Sequence, residues 1–253
     1  MDEQTVALGA LLWEADSVLI LTGAGISTAS GIPDFRGPNG VWKSQRPVMY
    51  DQFINDERRR RLYWEQKSAA AEYFDKAKPN AVHRACVELE AADKIEMIVT
   101  QNVDGLHTEA GTSGAKLIEV HGTAREAACL TCHERSPVGP HIDAFVETSA
   151  IPVCHCGGLL KPATISFGQP LEAMSMYNAH RAAEQCDLVV ALGSTLAVYP
   201  AAEIPWAPTQ RGVPYAIVNQ GRTEHDEWPG LTLRIDGDVT EVFPRAVEIA
   251  LGR

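Results

Sequence analysis

Two groups of residues in this chain are spaced for chemistry. The first is polar and sits where apolar runs end. Ile95-Glu-Met-Ile-Val-Thr100 is followed by Gln101, Asn102 and Asp104, and Leu117-Ile-Glu-Val120 by His121. Imidazole has the unperturbed pKa nearest neutrality and is the usual general base, so His121 is a candidate for proton abstraction. A single histidine equally suits a structural or surface place, and Asn102 or Asp104 alone is equally a helix cap. His83, His107, His133, His141, His155, His180 and His225 have no comparable sequence context. The second group is sulfur. Cys129-Leu-Thr-Cys132 and Cys154-His-Cys156 are separated by residues 133–153, close to the spacing of a zinc ribbon. Four thiolates would close the coordination sphere, which makes such a metal structural. The second pair is Cys-x-Cys, a short knuckle, and His133 and His155 stand as alternative ligands.

The elements that must position these groups read as an α/β fold. Glu3 to Ala15 has helical apolar spacing. Ser17-Val-Leu-Ile-Leu21 reads as a buried parallel strand. It runs into Gly23-Ala-Gly25, a turn in which glycine is expected to take positive φ and approach a phosphate. The helix that a dehydrogenase fingerprint requires is interrupted at once by Gly31-Ile-Pro-Asp-Phe-Arg-Gly37, and no second strand follows promptly. That loop offers Asp34, Phe35 and Arg36. A helical stretch follows Trp42 and contains the basic run Arg58–Arg61, read as a solvated face. Asn80 is placed to cap a helix running through Leu89.

After the cysteines, Leu159–Pro162 is expected to return to the main sheet and Ala163–Phe167 to be extended. A helix from about Leu171 to Gln185 leads to the strand Asp187–Leu192. Its end, Gly193-Ser-Thr195, makes a second phosphate-side turn, the pattern of an open sheet where strand order reverses. Val213–Asn219 and Leu231–Ile235 are further strands, and Asn219 suits a ribose hydroxyl. Val239, Val242, Phe243, Ala246, Val247 and Ala250 form the apolar face of a last helix.

Composition narrows the function classes. A chain of 253 residues that is 45% hydrophobic holds one large core or a core with an insert. A net charge of -11 argues against binding a phosphate backbone directly. Met1-Asp-Glu-Gln lacks the basic start of a signal peptide, and no apolar run reaches membrane-spanning length. A cytoplasmic protein without membrane association is the expectation. In a reducing compartment paired cysteines favour metal over disulfides, while Cys86 and Cys186 read as small buried hydrophobes.

GAGISTASGIPDFRGPNGVW resembles the signature of the sirtuins, the NAD-dependent protein deacylases. The likeness recurs at Thr100–His107, Glu119-Val-His-Gly122, the cysteine pairs, Ser166-Phe-Gly168, Gly193-Ser-Thr195 and Val218-Asn219, in family order. The resemblance implies a Rossmann-like parallel sheet with helices on both faces, plus a smaller zinc-ribbon and helical module. The single catalytic domain spans 1–253. Its NAD-binding part covers 1–40, 80–124 and 163–253, with a helical insert at 41–79 and a zinc-binding insert at 125–162.

It implies that NAD, a consumed co-substrate, meets Gly23, Ala24, Gly25, Thr28, Asp34, Phe35, Arg36, Trp42, Gln101, Gly193, Ser194, Thr195, Asn219 and Val239. It implies His121 as catalytic base with Asn102 and Asp104 in the nicotinamide and ribose pocket. Phe167, Gly168, Val198 and Tyr199 would clamp an acyl-lysine peptide. Cys129, Cys132, Cys154 and Cys156 would hold one structural Zn²⁺. The products would be free lysine, nicotinamide and O-acyl-ADP-ribose. Gln169 replaces the family's acidic residue after Phe-Gly. Tyr63-Trp-Glu-Gln66 lacks the arginine of the Tyr-x-x-Arg motif that selects dicarboxyl groups, which points to acetyl or longer neutral acyl groups. Two other functions fit the same chain: mono-ADP-ribosyl transfer or NAD hydrolysis on this scaffold, and a non-catalytic NAD-sensing interaction protein.

Overall fold

The computed structural model describes residues 2–34, Gly40 and residues 46–253. Phe35, Arg36 and Trp42 lie outside the described residues.

The order of elements is α1 (Glu3–Glu14), β1 (Val18–Thr22), α2 (Tyr50–Asn55), α3 (Glu57–Lys76), α4 (Ala81–Ala91), β2 (Ile95–Thr100), α5 (Leu106–Ala110), β3 (Leu117–Glu119), β4 (Gly122–Cys129), β5 (Arg135–Pro137), α6 (Gly139–Thr148), β6 (Leu160–Thr164), α7 (Ala173–Gln185), β7 (Leu188–Leu192), α8 (Trp206–Gln210), β8 (Tyr215–Val218), β9 (Leu233–Ile235) and α9 (Val239–Ala250). Six strands form one parallel sheet in the order β3-β2-β1-β7-β8-β9. From β1 the chain winds outward through β2 and β3. It then returns to β7 on the other side of β1 and winds outward through β8 and β9. The reversal point lies between β1 and β7.

Both faces of this sheet are covered, which is why β1, β7 and β8 are dominated by apolar residues and every residue in them is buried. Val18 and Ile20 point to one face and Leu19 and Leu21 to the other. The first face packs against Leu8 and Leu12 of α1, Val82, Ala85 and Leu89 of α4, and Phe243 and Val247 of α9. The second packs against Ala179, Ala182 and Ala183 of α7, and Ala201, Ala202 and Ile204. Asn80 caps α4 by accepting from the Val82 N–H at 3.0 Å, and Asp238 caps α9 by accepting from the Thr240 N–H at 2.8 Å.

The smaller unit has its own core. β5-β4-β6 is an antiparallel sheet. Phe53, Tyr63 and Trp64 from α2 and α3 pack with Phe145 of α6, Leu160 of β6 and the buried Cys129 and Cys154. The helical and cysteine segments therefore share one apolar cluster. Tyr63 Oη and Thr164 Oγ1 are 3.1 Å apart, and Lys161, 2% exposed, donates from Nζ to the carbonyls of Pro162 and Thr164.

Two expectations are corrected by the fold. Leu159–Pro162 does not rejoin the parallel sheet; β6 pairs with β4 in the small one, and the extended run is Leu160–Thr164 rather than Ala163–Phe167. The cause is a close crossing at Gly122, which has φ +72° and pairs with Thr164. A Cβ there would sit 2.1 Å from the Ala163 carbonyl oxygen, so the two backbones touch where the chain leaves β3. Nor does the first glycine turn need positive φ. Gly23 is extended at φ -130°, and the chain continues as two short 3-10 turns, Ala24–Ile26 and Thr28–Ser30. Gly23 and Gly25 are required by contact: a Cβ on either would fall within 2.9 Å of Gly193 or Ser194. The left-handed residue is Gly193, at φ +59°.

Candidate active site and metal centre

Polar groups converge at the carboxyl ends of neighbouring parallel strands, where open α/β sheets bind ligands. Gly23–Gly25 follows β1, Gln101 and Asn102 follow β2, His121 follows β3, Gly193–Thr195 follows β7 and Asn219 follows β8. The two glycine turns interlock, since the Gly25 N–H donates to the Gly193 carbonyl at 2.8 Å and the Gly23 N–H to the Leu192 carbonyl at 3.0 Å. Gln101 Nε2 donates to Ser194 Oγ at 2.9 Å, joining the β2 end to the β7 turn.

His121 has one ring nitrogen committed. Nδ1 lies 2.9 Å from the Gln101 carbonyl oxygen, which only accepts, so Nδ1 carries the proton and Nε2 keeps its lone pair. Burial lowers its pKa below the ordinary histidine value, with the Gln101 carbonyl partly opposing. The ring is thus held neutral, in the tautomer whose Nε2 accepts a proton. Beside it at the end of β3, burial and the neighbouring Asp104 push the Glu119 carboxyl up to about 7, against the pull of Arg135.

Beneath the turns lies a buried polar layer. Asn102 Nδ2 donates to the Gly23 carbonyl at 3.1 Å and to Ser27 Oγ at 3.2 Å. Ser27 Oγ donates to Asp104 Oδ2 at 2.7 Å, and Asp104 Oδ1 accepts the Leu106 N–H at 2.9 Å. Arg125 Nε holds the Asp104 carbonyl at 2.7 Å. Sequence reasoning passed over Ser27, Thr22 and Thr100. Thr22 and Thr100 are hydroxyls at the ends of two apolar strands and Ser27 follows the first glycine turn, a pattern legible as functional only once the strands are neighbours.

At the β8 end Asn219 Nδ2 donates to the carbonyls of Gln220 and Gly221 at 3.0 and 3.2 Å. Both amide protons are spent, so Oδ1 is left to accept a hydroxyl, which fits a ribose. Thr28 Oγ1 donates to the Gly25 carbonyl at 3.1 Å, Asp34 is half-buried, and Val239 is buried in the main core at the first turn of α9. Small residues at the crossing point, a hydroxyl-accepting amide and a neutral imidazole together suit a nucleotide with an ionising sugar.

The four residues expected to clamp a peptide follow β6 and β7. The Ile165 N–H donates to the His121 carbonyl at 2.7 Å, which brings the start of the Ser166-Phe167-Gly168 segment beside the imidazole. The Tyr50 N–H donates to the Phe167 carbonyl at 2.9 Å, and Gly168 is left-handed at φ +82°. Val198 and Tyr199 continue from the Gly193–Thr195 turn. The Val198 carbonyl accepts the Ala202 N–H at 3.0 Å, and the Tyr199 side chain is exposed.

The cysteines form a second centre. Sγ atoms of Cys129 and Cys156 are 3.5 Å apart, those of Cys132 and Cys154 3.6 Å, and all four fall within 4.8 Å of one another. N–H groups of Thr131 and Cys132 both donate to Cys129 Sγ at 3.4 Å. Those bonds, the Cys132 N–H first, draw the Cys129 thiol down to about 6, into the thiolate form a metal needs. Four converging sulfurs fit a structural Zn²⁺. The short Cys-x-Cys knuckle still brings both sulfurs in, because Gly157 turns at φ +82° and the Gly157 N–H donates to the Cys154 carbonyl at 2.8 Å. Gly158 lies so close that a Cβ would stand 2.7 Å from Cys129 Sγ. His155 turns toward Glu134, with Nδ1 3.2 Å from Oε2 and 3.6 Å from Cys154 Sγ.

Comparison with known proteins agrees with this geometry. The family model for the Sir2 family matches residues 23–200. A Rhodopseudomonas palustris NAD-dependent protein deacetylase is 39% identical over 230 residues, covering 90% of this chain and 91% of that one. A Sulfolobus acidocaldarius NAD-dependent protein deacetylase is 40% identical over 237 residues, covering 92% and 90%. A solved Sir2 complex with a p53 peptide and NAD+ superposes with TM-score 0.87 at 36% identity, covering 100% of this chain and 99% of that one. From the shared sheet, the interlocked glycine turns, the four-sulfur centre and this likeness along nearly its whole length, the chain belongs to the Sir2 family, the sirtuins, and is an NAD-dependent protein deacylase.

Proposed function

We propose that His121 is the catalytic base of lysine deacylation, acting at the carboxyl ends of the parallel strands beside the interlocked glycine turns. NAD supplies an electrophilic ribose carbon and nicotinamide as the leaving group. Gly23, Ala24, Gly25, Thr28 and Asp34 line the phosphate side, and Phe35, Arg36 and Trp42 are assigned to NAD by the family resemblance alone. Ser194, Thr195 and Asn219 take the second ribose, Val239 borders the adenine, and Gln101, Asn102 and Asp104 line the nicotinamide and first ribose. The acyl-lysine oxygen attacks the ribose carbon. His121 Nε2 then takes the proton of a ribose hydroxyl, and that oxygen attacks the acyl carbon. The adduct so formed expels the lysine amine and is opened by one water, leaving free lysine, nicotinamide and O-acyl-ADP-ribose. Orientation and a base of matched pKa are what the chain contributes.

Acyl-lysine peptides lie between Phe167-Gly168 and Val198-Tyr199 through main-chain bonds, a mode that accepts many sequences. Relatives in complex with a p53 peptide and with a propionylated peptide support this. The acyl group is acetyl or another neutral chain. Position 66 is glutamine, whose Nε2 donates to the Arg46 carbonyl at 3.3 Å, so no guanidinium from this position meets a second carboxylate. The chain divides into an NAD-binding part (1–40, 80–124, 163–253) and inserts at 41–79 and 125–162. The cytoplasm is its compartment, a reading supported by a four-thiolate centre that needs reduced cysteines. Among the described residues no helix is long and apolar enough to cross a membrane. The acidic balance supports no direct contact with nucleic acid.

One observation carries the assignment of the base: Nδ1 of His121 is spent on the Gln101 carbonyl, so Nε2 is the free acceptor. The test supplies NAD and acetyl-lysine peptide and follows nicotinamide and O-acetyl-ADP-ribose by mass spectrometry. His121→Ala should lower product formation by about 10²–10⁴-fold, the usual range for losing a general base. Wild-type turnover in that variant would remove His121 from the chemistry. Label passing from NAD to protein with no loss of acetyl-lysine would favour ADP-ribosyl transfer instead.

A further inference from the structure

The polar layer under the glycine turns closes on itself, and the residue that completes it is one the reaction does not otherwise use. His107, on α5, is 2% exposed, and its Nε2 lies 3.2 Å from Thr22 Oγ1 at the end of β1. Thr22 Oγ1 donates to Thr100 Oγ1 at the end of β2, 2.8 Å away. Thr100 Oγ1 accepts the Asn102 N–H at 3.0 Å. From Asn102 the bonds pass through Ser27 to Asp104 and back to the Leu106 N–H, beside His107. Thr22, Thr100, Ser27, Asn102 and Asp104 are all buried.

We propose that His107 is a positioning residue for deacylation, fixing the Asn102–Asp104 loop against the first glycine turn through Thr22 and Thr100. Three elements meet in this ring: the ends of β1 and β2, and the start of α5. α5 has five residues and begins at a left-handed Gly105, so its own backbone gives it little rigidity. The ring supplies the stiffness. Asn102 spends its side chain on the Gly23 carbonyl and Ser27, so a shift of its backbone moves the turn that faces the nucleotide. With Thr22 giving its proton to Thr100, Thr22 Oγ1 is an acceptor, and His107 must present Nε2–H. Burial, then the neighbouring His83, draws the His107 pKa down to about 3, so this bond persists across the working pH range. The requirement is therefore geometric, for a donor at the Nε2 position. Loss of that donor leaves substrate contacts in place and loosens their alignment, for which misplacement by about 1 Å is worth up to roughly a hundredfold in rate.

The experiment compares His107→Leu, His107→Gln and Thr22→Val by steady-state deacetylation, with zinc content and thermal melting measured on each. The amide of Gln places a donor near the Nε2 position, whereas Leu fills the space without one. His107→Leu should lower kcat about tenfold or more with the peptide KM unchanged, and His107→Gln should recover most of it. Thr22→Val should reproduce the Leu effect, and the double variant should be no worse than either single one. Wild-type kcat in Thr22→Val, equal losses in the Gln and Leu variants, or losses that multiply would each overturn the proposal. If His107→Leu does not fold, Thr22→Val and His107→Gln decide it by the same criteria. The inference rests on the place given to Asn102, and Asn102→Ala separates the two. Full activity there would remove Asn102 from the site, whereas an inactive Asn102→Ala beside a fully active Thr22→Val would sink the positioning role alone.

Discussion

Gly122→Ala is the substitution whose cost the structure specifies most closely. Gly122 is left-handed at φ +72°, which costs an alanine about 1–2 kcal/mol. The added Cβ would also stand 2.1 Å from the Ala163 carbonyl oxygen, a backbone atom that no side-chain rotation can move. Relief requires β4 and β6 to separate by more than 1 Å, given an ordinary carbon–oxygen contact of roughly 3.3 Å. That separation strains the Gly122–Thr164 pairing and the adjacent Ile165 N–H bond to the His121 carbonyl. A buried bond lost without replacement costs about 1–3 kcal/mol. The total is about 2–5 kcal/mol, a large share of the roughly 5–15 kcal/mol that stabilises a folded domain.

Gly111→Ala isolates the backbone term, because Gly111 is also left-handed, at φ +109°, but has nothing within 4 Å of its Cβ position. At about 2–4 °C per kcal/mol for a chain of this size, Gly122→Ala should melt about 4–20 °C below wild type. Gly111→Ala should lose only the backbone part. Differential scanning calorimetry reads both, and deacetylation should fall in Gly122→Ala because His121 is the preceding residue. A Gly122→Ala melting point within about 2 °C of Gly111→Ala would refute the claim that the crossing is a backbone contact.

The pH profile of kcat/KM tests the state of His121. Its pKa lies below the ordinary histidine value, so the neutral base persists at pH 7 and the acid limb should fall below pH 6.5. A limb centred above pH 7 would contradict a ring held neutral by burial. Stability follows the same sign. His83 is lowered to about 4, and His107 to about 3, chiefly by burial, so the unfolded chain binds protons that the folded one refuses. The folded state should be most favoured above pH 6.5 and weaken as pH falls from there toward 4, read as a declining melting temperature. His107→Gln should flatten part of that slope. Protein purified without added zinc should carry about one ion per chain, and Cys132→Ser should lose it together with the packing of the small sheet. A fully folded wild type free of metal would count against a structural zinc. Asn219→Ala should raise KM for NAD about tenfold with little change in kcat, the expectation for one ribose hydrogen bond to an uncharged acceptor.

Much was legible without coordinates because the governing physics is local. Buried parallel strands announce themselves as apolar runs, and β1, β2, β7 and β8 fall where those runs are. Asn80 is a capping side chain beside helical spacing, and the four sulfurs come as two close pairs. What the chain order does not disclose is which strand ends become neighbours. His121 and Gln101 are separated by a helix and a strand, and the tautomer of the imidazole depends on a carbonyl supplied from the other strand. The glycines of the first turn were expected for their conformational freedom, and the fold requires them instead because Gly193 crosses within contact distance. Residues 159–162 do not disclose their sheet for the same reason: the partner of β6 is selected by the crossing at Gly122. The ring through His107, Thr22, Thr100, Asn102, Ser27 and Asp104 joins two separate stretches, residues 22–27 and 100–107. Residue types and local spacing determined the elements and the reagents. Only tertiary packing decided which groups share a proton, because hydrogen bonds and contacts act over a few ångströms of space and not over positions in a chain.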